Sequence, residues 1–308
     1  MKNWPYLKPN DTVDIIAPAS SCPTDKLQAG LEWLESVGLI PRVPKGIVNT
    51  DVFFSAPLED QLDHLVKAIY SDSKAIWCLR GGYGSMRLIP YLQKLKPPKH
   101  PKLFIGFSDI TALHLFFNQT WNWPTLHGKT VSGLNINKKT HDIRELKKII
   151  FGELTHEKTF KKLRPLNESA YLEKEISGKI VGGNLRILQS SLGTSWEVNP
   201  RGKILFIEDV SERGYSIDRM LEQMHQAKII RHGIKALLIG DFTEGQEKSG
   251  KDLTSIAIKR FAERVSYPVL SGLPCGHGPK YNYTLPFNTL CKLTTGKKPT
   301  LTCDFGGM

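Results

Sequence analysis

The sequence is poor in cysteine, in long apolar runs and in acidic residues. Its five cysteines, Cys22, Cys78, Cys275, Cys291 and Cys303, are scattered over 308 residues. The number is odd and no two stand in C-x-x-C spacing, which argues against a disulfide framework and against a zinc site. A reducing compartment fits that usage. No H-E-x-x-H occurs, so the sequence calls for no catalytic metal and no cofactor. No stretch approaches the roughly 18 apolar residues of a membrane span. The amino terminus, MKNWPYLKPNDTVDIIAP, has no uninterrupted apolar segment before its polar and proline residues. The expectation is therefore a soluble cytoplasmic chain with no leader and no membrane partner.

Acidic residues number 30 against 42 Lys and Arg, a formal charge of +12. The denser basic groups, Lys94 to Lys102, Lys138 to Lys148 and Lys158 to Arg164, fall in connectors or on a helix face and lack interleaved aromatic residues. They read as solvated surface rather than a nucleic-acid platform, so no nucleic-acid partner is expected. The charge could also steer an acidic substrate, such as a peptide with several carboxylates, into a cleft.

What is present is enough apolar material, 40% of residues, to build real cores. At about 150 residues per domain, the length suggests two. The most informative stretch is Pro101 to Asn118, PKLFIGFSDITALHLFFN. Lys102 to Phe107 reads as a buried strand, whereas Ile110, Leu113, His114 and Phe117 recur at helical spacing, so the period changes across Ser108. A serine at such a corner stands at the carboxyl edge of a parallel sheet, beside backbone N–H groups that can hold an oxyanion. It is equally suited to cap the helix, with Asp109 in its first turn. The pattern Gly106-Phe-Ser108-Asp-Ile lacks the second glycine of G-x-S-x-G, so the α/β-hydrolase signature is absent.

Along the chain, Thr12 to Ala17 reads as a strand, followed by a helix capped by Thr24 or Asp25 and ended by Gly38. A strand near Leu39 to Val43, a helix over Leu58 to Ser71 and the apolar strand Lys74 to Leu79 come next. The last runs into Arg80-Gly-Gly-Tyr83-Gly-Ser85 and a short helix. Repeated strand and helix imply a parallel sheet, with ligands outside the carboxyl ends of its strands. Gly152 to Ser177 turns polar and sets the domain boundary. The expected division is 1–160, a connector 161–174, and 175–308. The second half reads as α+β: a strand at Lys179 to Gly183, a helix from Asn184, the strand Lys203 to Ile207 ending in Glu208-Asp209, a long helix over Ser216 to Arg231, a strand at Ala236 to Gly240, a helix near Leu253 to Val265, and β material from Tyr281 to Phe305.

Two phosphate-binding patterns fail. Gly82-x-Gly84 lacks the third glycine of a dinucleotide fingerprint, and Gly245 to Lys251 is followed by Asp252 where a P-loop needs Ser or Thr. His277 lies in Gly272-Leu-Pro-Cys-Gly-His-Gly-Pro-Lys280, a loop that a core histidine has little reason to occupy. Glu208, ending an apolar strand, is the candidate acid to join Ser108 and His277. Asp209 points to the opposite face by period two, and Glu212 is the runner-up.

Leu79 to Leu88, Gly106 to His114, Gly182-Gly-Asn184-Leu185, Leu205 to Asp209 with Asp218-Arg219, and Gly276-His-Gly278 with Asn282 and Leu285-Pro286 together resemble the LD-carboxypeptidase family of serine peptidases. The resemblance runs from Val13 to Phe287. It implies an α/β fold: an amino-terminal parallel-sheet domain of flavodoxin or amidotransferase type and a carboxy-terminal α+β domain, with the active site at their interface. It also implies Ser108 as nucleophile, Glu208 as orienting acid and His277 as general base. The backbone N–H of Asp109, with Gly81 or Gly82, would form the oxyanion hole. Arg80, Tyr83 and Asn184 would contact substrate, Arg87 sharing with Arg80 the choice between binding a carboxylate and bracing the loop. The implied substrate is a murein tetrapeptide losing its terminal D-alanine in cell-wall recycling, and the implied assembly a homodimer. The family also contains enzymes that cleave a peptide-nucleotide antibiotic, for which Trp121, Trp123 or Trp196 would have to supply an aromatic platform. A non-catalytic muropeptide-binding protein is a further alternative, and export by another route stays open for so basic a chain.

Overall fold

The structure, a computed structural model, describes residues 4–48, 51–154 and 157–306. The chain divides into two compact units, one of residues 1–156 with 283–285 and 306–308, the other of residues 157–282 with 286–305.

The first unit opens with β1 (Thr12–Ile16), α1 (Thr24–Ser36), β2 (Ile40–Arg42), α2 (Leu58–Tyr70), β3 (Ala75–Cys78) and, after a 3-10 turn, α3 (Ile89–Leu92). It continues with β4 (Leu103–Gly106), a 3-10 turn at Ser108–Ile110, α4 (Thr111–Gln119), β5 (Thr125–His127) and α5 (His141–Ile150). The strands run in the order β5-β4-β3-β1-β2, all parallel. Leu285, which counts with this unit, lies in the strand beside β5. β3 and β4 are buried at every residue, as expected of central parallel strands that are apolar on both faces. α1 begins after Pro23 without a side-chain cap, so neither Thr24 nor Asp25 plays that part. In α2, Leu65 and Ile69 are buried, and so is Gln61. Its amide nitrogen donates to Ala17 O, Ala19 O and Ser55 Oγ, holding the loop after β1. α4 is buried at eight of its nine residues. Phe116 and Phe117 pack with Trp121, and Phe117 stacks on Trp123, in one aromatic core.

The second unit begins with β6 (Glu157–Phe160), β7 (Arg164–Pro165) and α6 (Glu168–Tyr171), so 161–174 is not a connector. Asn167 shows why: its side chain donates to Ala262 O, Val265 O and Tyr267 O and accepts from Ala170 N and Val269 N. Polar composition had the look of a linker, but these polar atoms satisfy buried backbone. There follow β8 (Glu175–Asn184), α7 (Leu185–Ser190), β9 (Ile204–Val210), α8 (Gly214–Gln226), β10 (Ala236–Thr243), α9 (Thr254–Ala262), β11 (Val269–Ser271), β12 (Leu285–Phe287), β13 (Leu290–Thr294) and β14 (Thr300–Asp304). α8 stops at Gln226, short of the expected Arg231, because Ala227 caps it and Lys228 turns to positive φ. The eight-stranded sheet has the order β6-β14-β13-β8-β9-β10-β11-β7. Its centre, β8-β9-β10-β11, is parallel. The flanking strands are antiparallel, which makes the sheet mixed. Glu208 and Asp241 therefore belong to neighbouring parallel strands. Among the described residues no helix is long and apolar enough to cross a membrane.

Candidate active site

The first unit positions Ser108. Phe107 is extended, Ser108 takes φ 66°, and the chain then enters the 3-10 turn and α4. A non-glycine residue in the left-handed region costs of order 1–3 kcal/mol and persists only where the surroundings impose it. Here they do. Gly81 passes so near that a Cβ on it would lie 2.7 Å from Ser108 Cβ and 3.0 Å from its Oγ. The glycine loop is itself tied down: Gly81 O accepts from Ser20 N (3.1 Å), Tyr83 N donates to Ser20 Oγ (3.1 Å), and Ser20 Oγ donates to Phe53 O (3.2 Å). Ser20 thus joins three segments, a role that nothing in its sequence context announced.

Asp109 is buried. Its carboxylate accepts from Ser85 N (2.9 Å), and its carbonyl accepts from Ser85 Oγ (2.7 Å). Burial pushes its carboxyl up, against the N–H bonds from Ser85 and Gly84 that pull it down. The residue after the serine therefore locks the far end of the glycine loop. Gly82 is exposed with φ +105°, its α-carbon against Ser20. Arg80 is exposed and spends one donor on Ser21 O (2.9 Å). Tyr83 is half exposed and packs on Phe54, over which the Arg87 guanidinium lies at 4.2 Å, so Arg87 braces this loop.

The second unit brings Glu208 and His277 together although 69 residues separate them. Nδ1 of His277 is 2.6 Å from Oε2 of Glu208, whose side chain is fully buried while the imidazole keeps 18% exposure. Glu208 lies inside the parallel strand β9, which continues through Asp209 to Val210, past the end expected at Ile207, and His277 sits in the loop after β11. The loop approaches so closely that a Cβ on Gly276 would lie 2.6 Å from Glu208 Oε2; with φ +119°, only glycine fits without strain. Gly276 N donates to Asn282 Oδ1 (3.1 Å), fixing the turn. Burial works against a charged imidazole, but the hydrogen bond and charge of Glu208, with Asp209 and Glu244 behind, outweigh it and raise the His277 pKa.

Glu212, the runner-up acid, is engaged elsewhere: Arg186 Nη2 donates to it at 2.6 Å and Ser216 Oγ at 2.5 Å. Asp209 points away from Glu208, as period two requires. It accepts from Asn184 Nδ2 (2.8 Å) and Arg186 N (2.9 Å), and burial followed by the charge of Glu208 pushes its carboxyl up to about 7. Asn184 is buried, caps α7 through Ile187 N and braces Asp209. Trp121, Trp123 and Trp196 are all at most 5% exposed and offer no open ring face for a platform. Sequence reasoning passed over Asp241, whose signal was an acid ending the next apolar strand, the same position that singled out Glu208.

The order of these motifs along the chain agrees with two matched domains. The LD-carboxypeptidase N-terminal domain matches residues 13–128 and the LD-carboxypeptidase C-terminal domain residues 177–293. The chain belongs to the LD-carboxypeptidase family. A murein tetrapeptide carboxypeptidase of Pseudomonas aeruginosa is 30% identical over 279 residues, covering 86% of this chain and 88% of that protein. The crystal structure of muramoyltetrapeptide carboxypeptidase from Oxalobacter formigenes superposes with a TM-score of 0.81 at 26% identity, covering 96% of this chain and all of that one. The microcin C7 self-immunity protein MccF superposes with a TM-score of 0.85 over 99% of this chain and 98% of that one, at 19% identity, a likeness of fold. As a member of a carboxypeptidase family, the chain is a hydrolase of peptides.

Proposed function

We propose that this LD-carboxypeptidase is a serine enzyme that releases the terminal D-alanine of a murein tetrapeptide, leaving a tripeptide for peptidoglycan recycling or remodelling. The observation that carries the reading is the buried Glu208 carboxylate held 2.6 Å from Nδ1 of a partly exposed His277. A carboxylate there fixes the tautomer with the proton on Nδ1, leaving Nε2 as the acceptor. In the reaction, Nε2 takes the Ser108 hydroxyl proton as Oγ attacks the carbonyl before D-alanine. Glu208 stabilises the imidazolium, which then protonates the leaving amine. Water, deprotonated by the same Nε2, hydrolyses the acyl-enzyme. N–H groups of Asp109 and of Gly81 or Gly82 hold the oxyanion, and the tight packing of Gly81 on Ser108 supports that assignment. Arg80 and Tyr83, exposed on the same loop, contact the peptide. The active form is a homodimer in the cytoplasm.

The test is incubation of purified protein with murein tetrapeptide and mass spectrometry for loss of one alanine. Wild type is expected to release D-alanine, Ser108→Ala to release none, Glu208→Gln to lose about 10⁴-fold in kcat and Glu212→Gln to stay near wild type. Intact tetrapeptide with wild type overturns the reading. Cleavage of an aminoacyl-adenylate mimic instead would replace it with the nucleotide-conjugate reaction, which the burial of the three tryptophans disfavours. Muropeptide binding without product would make the chain a binding protein.

A further inference from the structure

The loop that carries His277 is held from a second side by β10. The backbone N of Asp241 donates to Cys275 O at 2.9 Å, and Thr243 Oγ1 donates to His277 O at 3.0 Å. Gly278 N donates to the Asp241 carboxylate. That carboxylate lies against the turn: a Cβ on Gly278 would come within 2.6 Å of Asp241 Oδ2. Asp241 sits where the β9–β10 register shifts, between the pairs Ile239 with Ile207 and Phe242 with Asp209. Residues on both sides of His277 are thus fixed by one short stretch of strand.

Holding a turn does not require an acid. An asparagine oxygen accepts a backbone N–H as well as a carboxylate oxygen does. Moreover, Asp241 Oδ2 is buried with no hydrogen-bond partner, a state that costs roughly 1–3 kcal/mol and that a purely structural residue would shed. What the acid adds is negative charge beside a histidine that must carry a positive one.

We propose that Asp241 is a positioning residue for His277, clamping the Cys275–Gly278 turn and, through its carboxylate charge, favouring the protonated imidazole that Glu208 orients. The proposal rests on the reading of His277 as the base. The groups that act most strongly on the imidazole are Glu208 and Asp209 from β9 and Glu244 just beyond β10, whereas the coupling with Asp241 shows on its carboxyl, which the imidazolium pulls down. Those near Asp241 are Glu208 and His277, with Arg164 and Asp252 lining the cavity of about 350 Å³ that Asp241 also borders. Burial and the charge of Glu208 push the Asp241 carboxyl up to about 6 while the imidazolium pulls it down. Coupling of this kind is reciprocal: each charge must shift the other's midpoint equally.

Side-chain NMR on the whole protein reads both directions. In Asp241→Asn, the His277 imidazole, assigned from the signal missing in His277→Gln, is expected to titrate about one pH unit lower than in wild type. In His277→Gln, the Asp241 carboxyl is expected to titrate higher than in wild type, a measurement that stands if Asp241→Asn fails to fold. With tetrapeptide as substrate, the acidic limb of kcat/KM in Asp241→Asn should move down with the imidazole. An imidazole midpoint unchanged in Asp241→Asn, or a carboxyl midpoint unchanged in His277→Gln, overturns the proposal. A shifted imidazole with an unshifted activity profile keeps the coupling and removes His277 as base. If wild type is inert toward tetrapeptide, the proposed substrate falls, while the two NMR midpoints still decide whether Asp241 and His277 are coupled.

Discussion

Gly81 and Gly276 each bring backbone against a side chain of the candidate site, Ser108 and Glu208. Gly81 is the cleaner of the two to test, since its φ is not positive and alanine there meets only the crowding. Gly81→Ala must push Ser108 or the loop aside by roughly 1 Å to turn a 2.7 Å approach into an ordinary contact. Displacement of this size is worth about 10²-fold in rate. The expected result is a kcat for tetrapeptide lowered about 100-fold, with cooperative thermal unfolding retained. An unchanged kcat would mean that the loop does not abut the serine in the working enzyme. Ser108 was legible from the change of period at a strand-to-helix corner. Its left-handed backbone was not, because the conformation is imposed by neighbours distant in sequence.

Elements differ in how far their sequences describe them. The central strands β3 and β4 and the apolar first halves of β9 and β10 were readable as apolar runs, since burial on both faces there leaves no room for polar residues. β6, β7 and α6 were not: each is short, and the segment is charged. Asn167 is what ties it to α9 and β11, through the five hydrogen bonds described above. Asn167→Ala is expected to destabilise the second unit by about 3 kcal/mol, because three carbonyls and two N–H groups lose their partner in a site 8% exposed. The check is the urea midpoint. A cost below about 0.5 kcal/mol, the range of an ordinary surface substitution, would make 161–174 the loose connector that its composition suggested.

Across the whole molecule, His114 in the first unit, opposed there by the raised carboxyl of Asp109, and Asp209 and Asp241 in the second act on stability in opposite senses. In the first, burial and then the charge of His127 lower the His114 pKa to about 3. The folded state binds fewer protons than the unfolded one between about pH 3 and 6.5, so this unit loses stability as pH falls through that window. In the second, Asp209 is raised to about 7 and Asp241 to about 6. The folded state there holds protons that the unfolded state has released above about pH 4, so stability is lost as pH rises towards 7. Hydrogen exchange at pH 5 and pH 7, expressed as protection factors, should show β4 and β5 better protected at pH 7 and β8 and β9 better protected at pH 5. Parallel changes in both sheets would contradict these assignments.

Most of the order of strands and helices, β6, β7 and α6 excepted, the division into an amino-terminal α/β half and a carboxy-terminal α+β half, and Ser108, Glu208 and His277 as candidates could be read from the sequence alone. Hydrophobic period, glycine placement and an acid at the end of an apolar strand are local signals, written in consecutive residues. The pairing of Glu208 with His277 over Glu212, the commitment of Asn184 to capping and of the tryptophans to the core, the folding of 161–174 into a sheet and the place of Asp241 beside the histidine loop came only with the tertiary structure. Each depends on which hydrogen-bond partner or charge lies within a few ångströms, and residues far apart in the chain decide that.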